Sequence, residues 1–186
     1  QIVKTTRRSV TTTALGLFAL VVVVPSGVQA QQHSMAGMNH IVVPAGANYT
    51  VADVEFMQGM IAHHAQAIVM SRMAESHGAN PQVQKLSNKI DQSQIPEIRI
   101  MQNWLRRNNQ FAPDTSSWHH MMMSGMLTTE QLAELDQAKG VEFDRAYLRL
   151  MIQHHAGALK MVNDLFNVAM AGQEVDVNVF ANDVVT

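Results

Sequence analysis

Two adjacent pairs of histidines are the residues of this sequence with the most distinctive chemistry. Both pairs lie in the motif Met-Ile-x-His-His-Ala, whose two copies supply Met60 with His63 and His64, and Met151 with His154 and His155. Soft metal ions prefer thioether sulfur and imidazole nitrogen as ligands, and Cu(I) accepts both. The two motifs therefore predict a site for copper or a similarly soft ion.

The composition of the chain supports this chemistry. The 186 residues include 14 Met and 9 His but no Cys. The absence of Cys excludes disulfide frameworks, thiolate zinc sites and cysteine nucleophiles. Methionine keeps a soft sulfur ligand available in oxidising compartments, where thiolates are lost. Because histidine must lose its proton before it binds a metal, we expect metal affinity to weaken below about pH 6.5.

The segment around the first histidine pair recurs around the second at one constant offset. The matched residues are Asp53, Phe56, Met60, Ile61, His63, His64, Ala65, Ala67 and Met70, against Asp144, Tyr147, Met151, Ile152, His154, His155, Ala156, Ala158 and Met161. Helical spacing places Met60, His63 and Met70 on one face, with the second histidine about 100° around the helix. A duplicated hairpin of this kind predicts an all-α four-helix bundle with two related halves.

Capping signals and helix breakers predict where the helices lie. The expected helices span 50–78, 80–108, a short segment after Thr128, and 141–170, followed by a final segment to 186. Thr50 and Asp53 form a capping box at the first helix, and Pro96 is expected to bend the second. The helical domain is therefore expected to span 50–186.

Residues 1–30 have the pattern of a signal peptide. Three basic residues precede an apolar run of about eleven residues, and small residues follow up to Ala30. The run is shorter than the roughly 20 residues of a spanning helix, which favours cleavage after Ala30 over a retained membrane anchor. We expect a periplasmic or secreted protein without stable membrane insertion after cleavage.

Two further segments combine histidine with methionine outside the repeat. They are a predicted flexible tail at 31–49 and a loop at 111–125. Their candidate residues for secondary metal capture are His33, Met35, Met38, His40, His119, His120, Met121, Met122, Met123 and Met126. The alternative is incidental low complexity without metal binding.

Glu97 and Met101 are two more candidate site residues. They lie one helical turn apart, and Gln94 precedes Glu97 by three residues. The ordinary role of such a glutamate is a solvated surface carboxylate. The alternative is a metal ligand, or a carboxylate that orients a histidine ligand.

Three segments of the sequence closely resemble the bacterial domain of unknown function 305 family. They are Phe56-Met57-x-x-Met60-Ile61-x-His63-His64, Gln94-x-x-Glu97-Ile98-x-x-Met101-x-x-Trp104-Leu105 and Phe143-Asp144-x-x-Tyr147-Leu148-x-x-Met151-Ile152-x-His154-His155. The resemblance covers most of the chain after Asp53. It implies a ferritin-like four-helix bundle that is usually exported, and some similar proteins are periplasmic copper binders linked to copper resistance.

The resemblance also implies which residues form the site. The family's histidine pairs and neighbouring methionines carry over to His63, His64, His154, His155, Met60, Met70, Met151 and Met161. Its Gln-x-x-Glu-Ile-x-x-Met element carries over once, to Gln94, Glu97 and Met101. A second copy would follow the stretch from Phe180 to Val184, where the sequence stops, so we expect a short or truncated fourth helix.

The leading hypothesis is an exported copper-binding protein that sequesters or hands on Cu(I), without turnover, in copper tolerance or homeostasis. Silver is a further candidate ion, whereas Cu(II), zinc and iron make less use of thioether ligands. The expected partners are metal ions and another exported copper-handling protein. Because 15 acidic residues outnumber 13 Lys and Arg, binding to nucleic acid is not expected.

Two other functions compete with this hypothesis. A ferritin-like di-metal oxidoreductase would need two Glu-x-x-His motifs, and the sequence contains none. A metal-free helical envelope protein would use the histidine pairs for packing alone. In that case alanine substitutions at the four histidines would change stability but not metal affinity.

Overall fold

A computed structural model describes residues 41–186, and all regular secondary structure in this part of the chain is helical. Its helices are α1 (Val51–Ser76), α2 (Pro81–Arg107), α3 (Thr129–Gln137), α4 (Gly140–Phe166) and α5 (Val175–Val184), with a 3-10 turn at Thr115–His119. The predicted all-α fold class is therefore confirmed. The predicted signal peptide, and His33, Met35, Met38 and His40, lie outside the described residues.

Helix α1 is the central helix of the domain. It begins at the predicted capping box, in which the Asp53 carboxylate accepts hydrogen bonds from the Thr50 backbone and hydroxyl. Every residue from 56 to 68 is buried, because α2, α4 and the 3-10 turn pack around this helix. Both histidines of the first pair consequently lie inside the domain.

The other long helices bury one side and expose the other. Helix α2 starts at Asn80-Pro81, as predicted, and continues through Pro96 to Arg107. Helix α4 ends at Phe166, four residues before the predicted end, and a turn leads to Gly172. Helix α5 has 10 residues. Within 41–186, no helix combines the length and apolarity required to cross a bilayer.

The two copies of the repeat face each other across α1 and α4, which run antiparallel. The Asp53 carboxylate accepts a hydrogen bond from the Gly172 backbone at 2.6 Å, just after α4. Its repeat counterpart, Asp144, accepts from the Asn80 side-chain amide at 2.7 Å, just after α1. These carboxylates connect opposite ends of the helix pair in an equivalent way. The copies are therefore related by an approximate two-fold axis.

Replacing Asp53 with alanine is expected to destabilise the domain by about 1 to 3 kcal/mol, because it removes a helix cap and leaves the buried Gly172 N–H without a partner. Denaturant unfolding measures this change. Asp176→Ala is the control, because Asp176 forms only an exposed ion pair with Arg107, which is worth at most about 1 kcal/mol. Equal effects of the two substitutions would contradict the assigned role of Asp53.

The Met-rich loop between the 3-10 turn and α3 is fixed against both α1 and α4. The Gln66 side chain accepts from the Leu127 backbone N–H at 2.7 Å and donates to the Leu127 carbonyl at 3.0 Å. Gly125 lies directly on Gly157 of α4, and a Cβ built on Gly125 would stand 2.6 Å from the Gly157 Cα. The Gln153 amide also donates to the Gly125 carbonyl at 3.3 Å.

Residues 41–49 lie against the helices, although the sequence predicted a flexible tail as far as residue 49. Tyr49 is buried, and its hydroxyl donates to the Asn108 carbonyl at 3.2 Å. The Gln110 amide donates to the Val42 carbonyl at 2.9 Å. Apolar side chains in this segment pack on the main core, which composition alone did not indicate.

Candidate metal centre

His63 and His154 are repeat counterparts, and their rings meet where the two-fold axis passes between α1 and α4. The ring centroids are 3.7 Å apart, and the ring planes differ by 39°. Only 2% of His63 and 1% of His154 is exposed. The Nε2 atom of each ring is buried without a hydrogen-bond partner. Two imidazoles, each with an uncommitted nitrogen, are thus held in contact inside the domain.

Burial keeps both of these rings uncharged. Burial, together with the smaller effects of the neighbouring His64 and His155 imidazoles, lowers the pKa of His63 from 6.5 to about 3. Burial also lowers the pKa of His154 well below its ordinary value, and His63 adds to the effect. A neutral imidazole has one nitrogen free to bind a metal. The predicted loss of affinity below about pH 6.5 therefore does not apply to this ring pair.

His64 is also buried, because α1 is covered on all sides. Its Nε2 lies 2.7 Å from the Oε2 atom of Glu97 on α2. A carboxylate accepts hydrogen bonds, so Nε2 donates, and in the neutral ring Nδ1 then carries the free lone pair. Nδ1 is buried without a partner. Glu97 accordingly orients His64, which is the alternative that the sequence left open for this carboxylate.

His155 differs from its repeat counterpart His64, because α4 leaves its outer side uncovered. His155 is exposed, and its Nδ1 lies 2.9 Å from the Met151 carbonyl. Its ring centroid is 6.3 Å from that of His154, and that of His64 is 6.5 Å from His63. The cluster therefore has a close central pair and two flanking rings, one buried and one at the surface.

All four histidines line one cleft of about 370 Å³. Sequence reasoning did not identify several other residues of its wall, namely Ser93, Asp183, Val184, Val185 and Thr186. No local motif marks these positions, because it is the fold that brings the end of α5 to the histidines. The Gln94 Oε1 atom is also buried without a hydrogen-bond partner in this region. Within 41–186, no three or more His, Asp and Glu side chains lie close enough together to hold a metal ion.

The predicted methionine ligands are buried in two apolar clusters and do not line this cleft. Met60, Met101 and Met161 belong to one cluster, and Met70 and Met151 belong to the other. Helical spacing predicts that the methionines of the repeat share a helix face with the inner histidines. They lie at other positions along the helix axis, however. None of these five methionines therefore lines the cleft that holds the four imidazoles.

The loop residues predicted for secondary metal capture have different environments. His119 and His120 are exposed, and the His119 ring stacks on Trp118 with centroids 3.7 Å apart. Met122 is exposed, whereas Met121 and Met123 are half-buried. Met126 is buried, and its sulfur accepts the Met123 backbone N–H at 3.3 Å. Met126 consequently belongs to the packed part of the loop.

The fold and this centre define a class: an all-helical protein with an imidazole pair held across two repeat-related helices. The family model described as "Domain of unknown function (DUF305)" matches residues 53–186, and the chain belongs to this family. This confirms the family resemblance inferred from the histidine motifs. A comparison with curated proteins found no match.

Several solved structures are similar to this chain. A DUF305 fragment from Deinococcus radiodurans is 30% identical, with a TM-score of 0.64, covering 74% of this chain and 87% of that one. A DUF305 protein from Streptomyces coelicolor, described as a candidate secreted protein, is 27% identical, with a TM-score of 0.61 and coverage of 75% and 85%. CopM in its Cu(I)-bound form is 27% identical, with a TM-score of 0.56 and coverage of 72% and 84%. CopM has also been solved in Cu(II)-bound and Ag-bound forms.

Proposed function

We propose that this protein is an exported copper-binding protein that sequesters Cu(I), or hands it on, without catalytic turnover. One observation carries the proposal: the two buried Nε2 atoms on the contacting rings of His63 and His154 have no hydrogen-bond partner. A buried polar atom without a partner is costly, so such atoms point to a ligand or another role. A metal ion bound by these rings would satisfy them.

The electrostatics of the centre favour a cation that binds neutral ligands. Both central rings are uncharged at neutral pH, so metal binding there need not displace protons from imidazolium groups. The carboxylates of Glu97, which contacts His64, and Asp183 line the cleft and add negative charge to it. The Nδ1 atom of His64, in the same cleft, is likewise buried without a hydrogen-bond partner.

The choice of copper rests on ligand chemistry and on the relatives. Imidazole nitrogen suits copper, and the two central rings offer it as a neutral ligand. CopM, which resembles this chain, has been solved with Cu(I), Cu(II) and Ag bound. We assign Cu(I) as the preferred ion of this protein, with Ag(I) as a close substitute.

The surface of the domain offers a route for collecting metal. His119, His120 and Met122 are exposed on or beside the 3-10 turn, where weak and exchangeable binding would capture ions from solution. The same exposed side chains would also let the protein hand copper on to another exported copper-handling protein. The signal-peptide pattern of residues 1–30 supports export, as does the similarity to a candidate secreted protein.

The central test is a competition titration of Cu(I) against a chromophoric chelator. The variant His63→Leu/His154→Leu keeps the volume of the core and removes both nitrogens, so we expect at least a hundred-fold loss of affinity. His119→Ala/His120→Ala is the control and should affect only weak binding. Circular dichroism establishes that each variant is folded. A folded double-leucine variant with wild-type affinity would overturn the proposal in favour of a packing role.

A further inference from the structure

Met123 and Met161 both lie against α1, although the sequence places Met123 in the loop and Met161 in the repeat. Met123 extends from the loop and Met161 from α4, and both reach the backbone of Gly59. A Cβ built on Gly59 would overlap the methyl group of Met123, and would stand 3.1 Å from its sulfur and 3.5 Å from the methyl group of Met161. The absence of a side chain at Gly59 therefore leaves room for the ends of both methionine side chains.

These thioethers line an open cleft that is separate from the histidine cleft. Its volume is about 200 Å³, and its other lining residues are Ala52, Glu55, Phe56, Asp164, Leu165 and Val168. Gly59 precedes His63 by one helical turn, which is about 6 Å along α1. The two clefts share none of their lining residues. An ion could therefore occupy one cleft without displacing an ion from the other.

The position of Met123 is fixed before any ligand arrives. Its backbone N–H donates to the Met126 sulfur, and the loop is held by Gln66 and by the contact of Gly125 with Gly157. Met161 is anchored in the core on a long helix. A methionine on a mobile loop would lose more conformational entropy on binding an ion than this one does.

The charge around the cleft also favours a cation. The carboxylates of Glu55 and Asp164 line it, and the nearby Lys160 pairs with Asp164 at 2.6 Å. The Glu55 carboxylate is not part of this ion pair. Thioether sulfur is neutral and carries no proton to displace, so it binds soft monovalent ions over a wide pH range.

We propose that Met123 and Met161 form a second metal site, which binds one soft monovalent cation, Cu(I) or Ag(I), through sulfur. Its position near solvent makes it an entry site beside the buried imidazole centre. The identity of the ion rests on the proposed copper function, but the geometry of the site does not depend on the histidines.

Silver alone is the probe for this site, because Ag(I) does not change oxidation state during the measurement. Titration of the full chain with Ag(I), followed by native mass spectrometry, counts the bound ions. Met123→Leu/Met161→Leu conserves side-chain volume and should lower the stoichiometry by one ion per chain. Sulfur coordination in X-ray absorption spectra should fall with it. Met73→Leu is the matched control, because Met73 is a half-buried methionine packed on the other apolar cluster.

Two further variants, Gly59→Ala and His63→Leu/His154→Leu, complete the test. Gly59→Ala displaces the end of Met123 and should weaken the same site while both methionines remain. Unchanged Ag(I) stoichiometry and sulfur coordination in the folded double-leucine variant would overturn the inference. Loss of one ion in this variant but none in His63→Leu/His154→Leu would overturn the proposed imidazole centre and leave the thioether site standing. Loss of one ion in His63→Leu/His154→Leu but none in Met123→Leu/Met161→Leu would overturn the thioether site and leave the imidazole centre standing.

Discussion

Replacing Gly157 with alanine is expected to destabilise the domain by about 3 kcal/mol or more, despite the higher helix propensity of alanine. A Cβ at this position would overlap the Ser124 carbonyl and the Cα of Gly125. Both obstacles are backbone atoms, so the side chain cannot escape by changing its rotamer. The loop would have to move off α4 and lose its hydrogen bond from Gln153.

Denaturant unfolding and limited proteolysis of the loop measure this effect. The matched control is Ala156→Leu, which enlarges the neighbouring but exposed side chain and should change stability by less than about 0.5 kcal/mol. We expect the Gly157→Ala variant to be cleaved faster between residues 119 and 127. Wild-type stability and wild-type cleavage in this variant would show that the loop does not require the close backbone approach.

The metal-free protein is expected to lose stability as the pH falls from 6.5 towards 3. His63 stays neutral in the folded domain down to about pH 3, whereas in the unfolded chain it takes up a proton below pH 6.5. Protons therefore stabilise the unfolded state, by up to about 1.4 kcal/mol per pH unit for each such histidine. For His63 alone this amounts to about 2 kcal/mol between pH 6.5 and 4.5. His154 acts in the same direction, because burial lowers its pKa as well.

Urea unfolding at several pH values between 7 and 4.5 tests this dependence. The His63→Leu/His154→Leu variant lacks both titrating rings and should have a flatter stability profile. His119→Ala, which removes an exposed imidazole, should retain the wild-type slope. A metal-free wild-type protein with constant stability over this range would show that the rings are protonated in the folded state.

The sequence was a good guide wherever local rules determine the structure. Capping at Thr50 and Asn80 predicted where α1 and α2 begin, and the duplicated motif predicted that His63 and His154 occupy equivalent inner positions. Helix α4 ended early, since the turn after it brings the Gly172 N–H to Asp53. That contact spans 119 residues of sequence and has no local signal.

The site differs from its prediction where packing decides the environment of a residue, because a sequence repeat carries no information about packing. His64 and His155 are equivalent in the motif, yet only α1 is covered on all sides, so one ring is buried and the other exposed. Met70 and Met161 share a face with the inner histidines but lie seven residues further along their helices, about 10 Å in each case. The low pKa of His63 likewise depends on a depth of burial that spacing cannot reveal.

The contact between His63 and its repeat counterpart His154 has a consequence for how mutations act on this protein. In a symmetric assembly of two identical hairpins, any mutation at the axis would alter both rings at once. Fusion of the two halves into one polypeptide makes each ring an independent genetic target. The flanking positions can then diverge separately, and Glu97 contacts only the histidine of one half.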